Sequence, residues 1–290
     1  MADSHRPDNR LQFDSNVSER PTRWDLHDSL RRLADPEDLE LAWLHGQFSC
    51  GPAPHLGMPD LSCSISDLYE LHSRGEIGRV SVPVLLHLHG AFGLAETEVI
   101  LAALARRAGF AFFAPDSFSR KMRFSNCQIE NCETGAFPLA DLYRRAELLD
   151  AVRRVEACPF IEPGPLVVSG FSEGGAAVSI WGGAVKADAY IIAGWSCSAP
   201  KNWGWADGLR TPDHKAVLHI QADRDPWFAR PGWRRREAAK PPWVREVIVD
   251  SDDHYVCRDA RAQNAITTFL DGIRSSRCSI EASGEQDPSQ

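Results

Sequence analysis

From about residue 80 onward, the sequence alternates between short apolar runs and amphipathic segments. The following runs have the length and composition of buried strands: VPVLLHLHG, FAFFAPD, PLVVSG, DAYIIAGWS, KAVLHIQAD and VREVIVD. Segments between some of them carry apolar residues every three or four positions, and the clearest is LADLYRRAELLDAVRRVEA. This alternation predicts an α/β fold with a mostly parallel central sheet and helices on both faces.

The chain divides into four predicted regions. The first is polar and charged and is expected to be a disordered tail, and the second has mixed signals and is expected to pack on the core as an N-terminal extension. The third is uninterrupted by repeats or long linkers and forms the core. The last is expected to fray. In order, these regions are 1–22, 23–80, 81–273 and 274–290.

Composition and charge limit the classes of function. Forty acidic and 32 basic residues give a net charge of −8, which argues against nucleic acid as a partner. The N-terminus lacks an apolar signal sequence and no apolar run reaches membrane-spanning length, so we expect a cytoplasmic protein without a membrane partner. The eight cysteines are expected to be reduced, with a bridge between Cys127 and Cys132 left open.

Chemically versatile residues follow the predicted strands. In a parallel sheet the carboxyl ends of the strands open onto one edge, so the residues just after each strand converge there. Read in chain order, those positions are His89 with Gly90, Asp116, Ser172, Asp223 with Asp225, and His254.

The stretch VSGFSEGG places Ser172 between Gly170 and Gly174, directly after an apolar run and before a helical segment. A G-x-S-x-G motif at a strand–turn–helix junction, followed by an acid and a histidine in that order, is the signature of the α/β-hydrolase nucleophile elbow. The glycines would let strand and helix close around an exposed serine hydroxyl. The alternative is a glycine-rich turn that contains a serine by chance.

A serine hydroxyl needs a base and an oriented partner to become a nucleophile. His254 would take the proton, and Asp225 would hold the imidazole in the useful tautomer. Asp223 competes with Asp225, while further candidates for orienting the histidine are Asp250, Asp252 and Asp253. The alternative for His254 is a solvated histidine in a polar loop.

The predicted site also needs donors for a developing oxyanion. The backbone N–H of Glu173, at the start of a helix, would supply one, and that of Ala91 in HGAFG would supply the other. His87 and His89 share a face of one strand, but no third ligand with convincing spacing accompanies them. We therefore expect packing or loop-anchoring roles for both, and no metal and no organic cofactor.

The motifs HLHGAFG, APDSFSR, GFSEGG, QADRDPW and DDHYVCR together resemble those of the α/β-hydrolase superfamily, specifically dienelactone-hydrolase-like proteins. The resemblance covers about 80–273 and implies an α/β-hydrolase fold with a catalytic core. In the founding dienelactone hydrolases the nucleophile is a cysteine, and an acid is expected near the position of Gly90. Here Ser172 replaces the cysteine and that acid is absent, which points to a conventional serine triad and away from the dienelactone substrate.

The resemblance also suggests substrate-binding residues. By position, Arg120 and Arg258 correspond to two arginines that hold a substrate carboxylate in that family, for which a guanidinium is well suited. A surface charge is the alternative for each. Aromatic residues at the same edge could line an apolar or aromatic pocket, although tryptophans also serve in packing. They are Phe92, Trp195, Trp203, Trp205 and Trp227.

Taken together, these observations predict a serine hydrolase that cleaves a small carboxylic ester or lactone through an acyl-Ser172 intermediate. The space between Ser196 and Lys215 allows a loop but no separate domain, so the cap is expected to be minimal or absent. Two alternatives stay open: an acyltransferase that uses the same acyl-enzyme, and a non-catalytic binding protein on the same fold. The sequence leaves both a monomer and a homodimer open.

Overall fold

The apolar runs of the sequence form an eight-stranded sheet. A computed structural model of the protein describes residues 32–51, 60–121, 123, 137–197, 208–228 and 241–283. The strands are β1 Gln47–Cys50, β2 Leu61–Ser64, β3 Val80–Leu88, β4 Ala111–Ala114, β5 Ile161–Phe171, β6 Ala189–Ala193, β7 Ala216–Ala222 and β8 Val244–Val249.

The order of the strands across the sheet is β2-β1-β4-β3-β5-β6-β7-β8. Strand β1 pairs antiparallel with both β2 and β4, and all the other pairings are parallel. The carboxyl ends of β3 through β8 therefore open onto one edge of the sheet. This arrangement confirms the predicted mostly parallel α/β architecture.

Helices cover both faces of this sheet. They are α1 Pro36–Leu44, α2 Ile65–Ser73, α3 Glu96–Arg107, α4 Phe137–Glu156, α5 Glu173–Trp181 and α6 Ala260–Ser283. Successive strand residues point to opposite faces, so Leu86 packs in one apolar cluster and Leu85 in the other. Helices α1, α2, α4 and α5 contribute to the first cluster, and α3 and α6 contribute to the second.

The described part of the N-terminal extension is continuous with the sheet, because β1 and β2 form its edge. Asp35 caps α1 by accepting hydrogen bonds from Glu37 N at 3.0 Å and Asp38 N at 3.1 Å. Trp43 of α1 stacks on Phe113 of β4 with ring centroids 5.4 Å apart. This helix is thereby fixed beside the strand that leads to Asp116.

The C-terminal helix differs from the expectation. The sequence predicts fraying after Ile273, but α6 continues to Ser283. Arg274 provides a physical reason, since its Nη1 donates to Ala108 O at 2.8 Å and its Nη2 pairs with Asp271 at 3.1 Å. These contacts carry the helix past the predicted end of the core.

Several expectations fall outside the described residues: the disordered tail at 1–22, the pair Cys127 and Cys132, and two aromatic candidates, Trp203 and Trp205. Of the connection between β6 and β7, the structure describes 194–197 and 208–215, and these contain neither helix nor strand. Within the described ranges, every helix is too short or too polar to cross a membrane.

Candidate active site

The turn between β5 and α5 holds Ser172 in an unusual backbone conformation, with φ 54° and ψ −115°. A positive φ is uncommon outside glycine and costs free energy, so such residues cluster at functional sites. Ser172 N donates to Ala193 O at 2.9 Å, and Ser172 O accepts from Ala176 N at 2.9 Å. The hydroxyl is thus held at the carboxyl edge of the sheet between strand β6 and helix α5.

Glycines permit this turn because the backbones approach very closely. A methyl carbon placed at Gly174 would lie 2.0 Å from Leu88 O, and one at Gly170 would lie 2.2 Å from Gly174 O. Both distances are far inside van der Waals contact with backbone atoms that cannot move aside. Only glycine therefore allows α5 to pack this tightly on β3 and β5.

The structure brings together the three side chains that the sequence nominated. His254 Nε2 lies 2.9 Å from Ser172 Oγ, and His254 Nδ1 lies 2.7 Å from Asp225 Oδ2. Asp225 is 2% exposed, and its other oxygen accepts from Trp227 N at 2.9 Å. An ionised carboxylate only accepts, so the proton of the neutral imidazole belongs on Nδ1 and leaves Nε2 to accept the serine proton.

Three of the four competing aspartates, Asp223, Asp250 and Asp253, have other partners. Asp223 accepts from Ser251 N at 2.9 Å and pairs with Arg224 at 2.9 Å, while Asp250 pairs with the same arginine at 2.5 Å. Asp253 accepts from Tyr255 N at 2.9 Å, which stabilises the turn that carries His254. His254 Nδ1 thus donates its hydrogen bond to the favoured candidate, Asp225.

The loop after β3 lies against the nucleophile. A methyl carbon placed at Gly90 would lie 3.4 Å from Ser172 Cβ, which shows that the loop is in close contact with the serine. Ala91 is the residue that follows Gly90. Glu173 is the first residue of α5, so its N–H lies at the start of that helix, directly after Ser172. The two predicted oxyanion donors are therefore on segments that flank Ser172.

The buried His89 side chain links this loop to the segment after β4 by hydrogen bonds. Its ring is completely buried, Nε2 accepts from Ser117 N at 3.0 Å, and Nδ1 lies 2.6 Å from Gly90 O. Since Nε2 accepts and a carbonyl can only accept, Nδ1 carries the proton. Burial, reinforced by the Arg144 and Arg123 guanidinium groups, lowers the pKa of His89 well below its ordinary value. The ring is accordingly neutral and serves as a fixed hydrogen-bonding bridge.

Comparison with known proteins gives structural neighbours only. No protein-family model matches the sequence, and no curated protein matches it significantly. Est1E from Butyrivibrio proteoclasticus is 14% identical over 71% of this chain and 91% of its own, with a TM-score of 0.44. An α/β serine hydrolase without lid from Xanthomonas campestris is 15% identical over 69% and 86%, with a TM-score of 0.39.

A third neighbour is a dienelactone-hydrolase-like promiscuous phosphotriesterase from metagenomic libraries. It is 16% identical over 69% of this chain and 88% of its own, with a TM-score of 0.45. The neighbours thus include α/β serine hydrolases and dienelactone-hydrolase-like proteins, the class that the sequence motifs resemble. What the site can do depends on its own residues and distances.

The role predicted for Arg120 is wrong, because its guanidinium is inaccessible. The side chain is 0% exposed and pairs with Asp38 at 3.1 Å and Glu147 at 3.2 Å. Its Nη2 also donates to Arg32 O and Leu33 O, both at 2.9 Å. With these donors already engaged, Arg120 ties the N-terminal extension to α4 and has no group free for a substrate carboxylate.

Arg258 lies at the surface, where two carboxylates balance its positive charge. Its side chain is 46% exposed, and it pairs with Glu96 at 2.5 Å and Asp253 at 3.2 Å. The guanidinium carbon lies 4.6 Å from the Tyr255 ring centroid. Two carboxylates thus compete with any anionic substrate, so the structure does not support the predicted carboxylate anchor here either.

Some of the aromatic candidates are buried in the core, and others are exposed near the carboxyl edge of the sheet. Trp195 is buried and packs edge-to-face on Phe228 at 5.7 Å, so the packing alternative holds for it. The ring of Trp227 lies 5.7 Å from the His254 imidazole. Phe92 is 51% exposed, and Phe118, which the sequence reasoning missed, is 48% exposed. Phe118 could have been found from its place directly after β4, in DSFSR.

Phe118 borders the loop after β3, which carries Ala91, one of the two predicted oxyanion donors. Its ring stacks on the His89 ring with centroids 5.8 Å apart, and a methyl carbon at Gly93 would lie 3.1 Å from the Phe118 ring.

His87, the other histidine of β3, is buried and hydrogen-bonded on both sides. Its Nδ1 lies 2.9 Å from Ser169 Oγ and its Nε2 lies 3.1 Å from Glu98 Oε1. Among the described residues there is no cluster of three or more metal-ligating side chains.

Proposed function

We propose that the protein is a serine hydrolase that cleaves a carboxylic ester or lactone through an acyl-Ser172 intermediate. The observation that carries the proposal is the unbroken hydrogen-bonded chain from Ser172 Oγ through His254 to the buried Asp225. The strained backbone at Ser172 supports it, because strain of this kind persists where function requires it.

In the proposed reaction, Ser172 Oγ attacks the ester carbonyl while His254 Nε2 removes its proton. Asp225 stabilises the imidazolium that results and keeps the ring oriented. Negative charge develops on the carbonyl oxygen, and the N–H groups of Ala91 and Glu173 would stabilise it. When the tetrahedral intermediate collapses, His254 returns the proton to the departing alkoxide.

The acyl-enzyme is then cleaved by water. His254 removes a proton from the water as its oxygen attacks the acyl carbon, and a second tetrahedral intermediate forms. Its collapse breaks the bond to Ser172 Oγ, which takes back the proton, and the carboxylic acid leaves. A lactone follows the same two steps and releases one hydroxy acid, so atoms and protons balance in either case.

The substrate that the site supports best is a neutral ester with an apolar or aromatic portion. Phe92, on the same loop as Ala91, and Phe118, which packs against Gly93 of that loop, are both exposed and could contact such a group. The carboxylate-bearing substrate suggested by resemblance loses its two anchors, since Arg120 is buried and Arg258 is paired with two acids.

Hydrolysis of p-nitrophenyl esters tests the proposal. We expect the wild type to hydrolyse neutral acetate, butyrate and benzoate esters, with a burst of p-nitrophenol where deacylation is slow. Ser172→Ala should abolish turnover, whereas Ser73→Ala, which removes an exposed hydroxyl of α2, should leave it unchanged. A folded wild type that hydrolyses none of these esters, or full activity in Ser172→Ala, would contradict the proposal.

A further inference from the structure

A buried cluster of charged side chains lies beneath the two segments that carry the oxyanion donors. Arg120, Arg123 and Arg144 face Asp38, Glu147 and Glu173, so three positive charges balance three negative ones. Ionised groups are costly to bury, so a charge-balanced cluster next to Ser172 calls for an explanation beyond stability.

Arg144 is the member of this cluster that contacts both segments. Its Nη2 donates to His89 O, the carbonyl that immediately precedes Gly90. Its Nε lies 3.5 Å from Glu173 Oε1, and its Nη1 donates to Glu147 Oε2 at 2.7 Å. The side chain is 2% exposed, so these contacts are shielded from water. Within the described residues Nε makes no hydrogen bond, so its contact with Glu173 is an ion pair.

The geometry of the loop shows how such contacts reach the oxyanion donors. A trans peptide points its C=O and its N–H in opposite directions. His89 Nδ1 fixes Gly90 O at 2.6 Å and so sets the direction of the Ala91 N–H. Arg144 fixes the preceding carbonyl, His89 O, and therefore the orientation of the peptide bond between His89 and Gly90.

The other donor is fixed through its own side chain. Glu173 Oε1 accepts from Arg123 Nη2 at 2.5 Å in addition to its contact with Arg144. Glu147 in turn accepts from Ser117 Oγ at 2.6 Å, and Ser117 N donates to His89. Burial works to raise the pKa of Glu147, but Arg144, Arg123 and Arg120 together lower it, so the carboxylate stays charged.

We propose that Arg144 is a positioning residue that holds the Ala91 and Glu173 N–H groups in register with each other around the oxyanion. It touches no substrate atom and acts through His89 O and the Glu173 carboxylate. The inference rests on the proposed function, because it concerns the transition state of ester cleavage. Arg144 thus contributes to kcat and little to the binding of the ground-state ester.

The test compares Arg144→Met, Arg144→Lys and the control Arg153→Met, which alters an exposed arginine on the same helix α4. For Arg144→Met we expect kcat to fall about 10- to 100-fold with KM within about 3-fold of wild type. Inhibition by an alkyl boronic acid, which forms a tetrahedral adduct on the serine, should weaken by a similar factor. Arg144→Lys should recover part of kcat, and Arg153→Met should match wild type.

Wild-type kcat in a folded Arg144→Met variant would overturn the inference, as would an equal loss in Arg153→Met. If Arg144→Met fails to fold, Arg144→Lys decides instead, because it keeps the buried positive charge but lacks the planar fork that contacts His89 O, Glu147 and Glu173 together. Its kcat should fall about 3- to 10-fold, and an unchanged kcat would overturn the inference. A wild type without esterase activity would refute the proposed function itself, a result distinct from unimpaired variants of an active enzyme.

Discussion

Two buried histidines at the same edge of the sheet differ in the groups that their ring nitrogens contact. His89 follows β3 and His254 follows β8. The ring of His89 lies between a backbone carbonyl and a backbone N–H, at 2.6 and 3.0 Å. The ring of His254 lies between a buried carboxylate and the Ser172 hydroxyl, at 2.7 and 2.9 Å.

The difference shows that partners, and not residue type, decide what a histidine can do. The Asp225 carboxylate at Nδ1 orients the ring and leaves Nε2 facing the Ser172 hydroxyl, so His254 is placed to take part in proton transfer. Burial, reinforced by two nearby guanidinium groups, lowers the pKa of His89, so that ring stays neutral and holds the loop. One histidine is suited to proton transfer, and the other to fixing geometry.

The largest expected effect is the loss of activity when His254 is replaced. His254→Ala removes the proposed base, so kcat/KM for a p-nitrophenyl ester should fall about 10⁴-fold or more, as for other residues of a triad. Steady-state kinetics on folded protein provide the measurement. A loss below 10-fold would show that His254 is not the base.

Variants of His89 should have a smaller effect, with a pattern of their own. Asn can mimic the Nδ1 donor to Gly90 O, whereas Gln can mimic the Nε2 acceptor for Ser117 N. Because the Gly90 carbonyl sets the direction of the Ala91 N–H, His89→Gln should lower kcat about 10-fold or more and His89→Asn less. The reverse order would mean that the contact with Ser117, not that with Gly90, matters for the chemistry.

These contrasts also show how far the sequence alone could go. The strand–turn–helix setting of Ser172 and the chain order of Asp225 and His254 predicted which residues meet, because parallel strands open onto one edge. Local pattern could not reveal that Arg120 is buried, since Asp38 and Glu147 lie far from it in the sequence. The neutral state of His89 was equally hidden, because Arg144 and Arg123 approach it only in the folded protein.

The pH dependence of stability should also distinguish His89. Its pKa is lowered in the folded protein, so below its ordinary value of 6.5 the unfolded chain binds a proton that the folded chain does not. The free energy of unfolding should therefore decrease as pH falls below 6.5, by up to about 1.4 kcal/mol per pH unit from this one residue. Above 6.5 this contribution is constant.

Urea unfolding between pH 5 and 7 would measure this effect. The part due to His89 is the difference in slope between the wild type and His89→Asn, in which no ring titrates at this position. Equal slopes for the two proteins would contradict a lowered pKa of His89.

The smallest expected effect concerns Arg258, four residues after His254. Arg258 is paired with Glu96 and Asp253, so Arg258→Ala should change kcat/KM by less than about 3-fold, equally for neutral and for anionic esters. Kinetics with a matched pair of acetate and succinate monoesters would measure this. A selective rise in KM for the anionic ester would restore Arg258 as a carboxylate anchor.

Labelling by a fluorophosphonate tests most directly whether His254 makes Ser172 a nucleophile. The wild type should gain one adduct, located on Ser172 by peptide mass spectrometry, and His254→Ala should react at least about 10³-fold more slowly. A folded wild type that gains no adduct, or a His254→Ala variant that labels at the wild-type rate, would contradict the account.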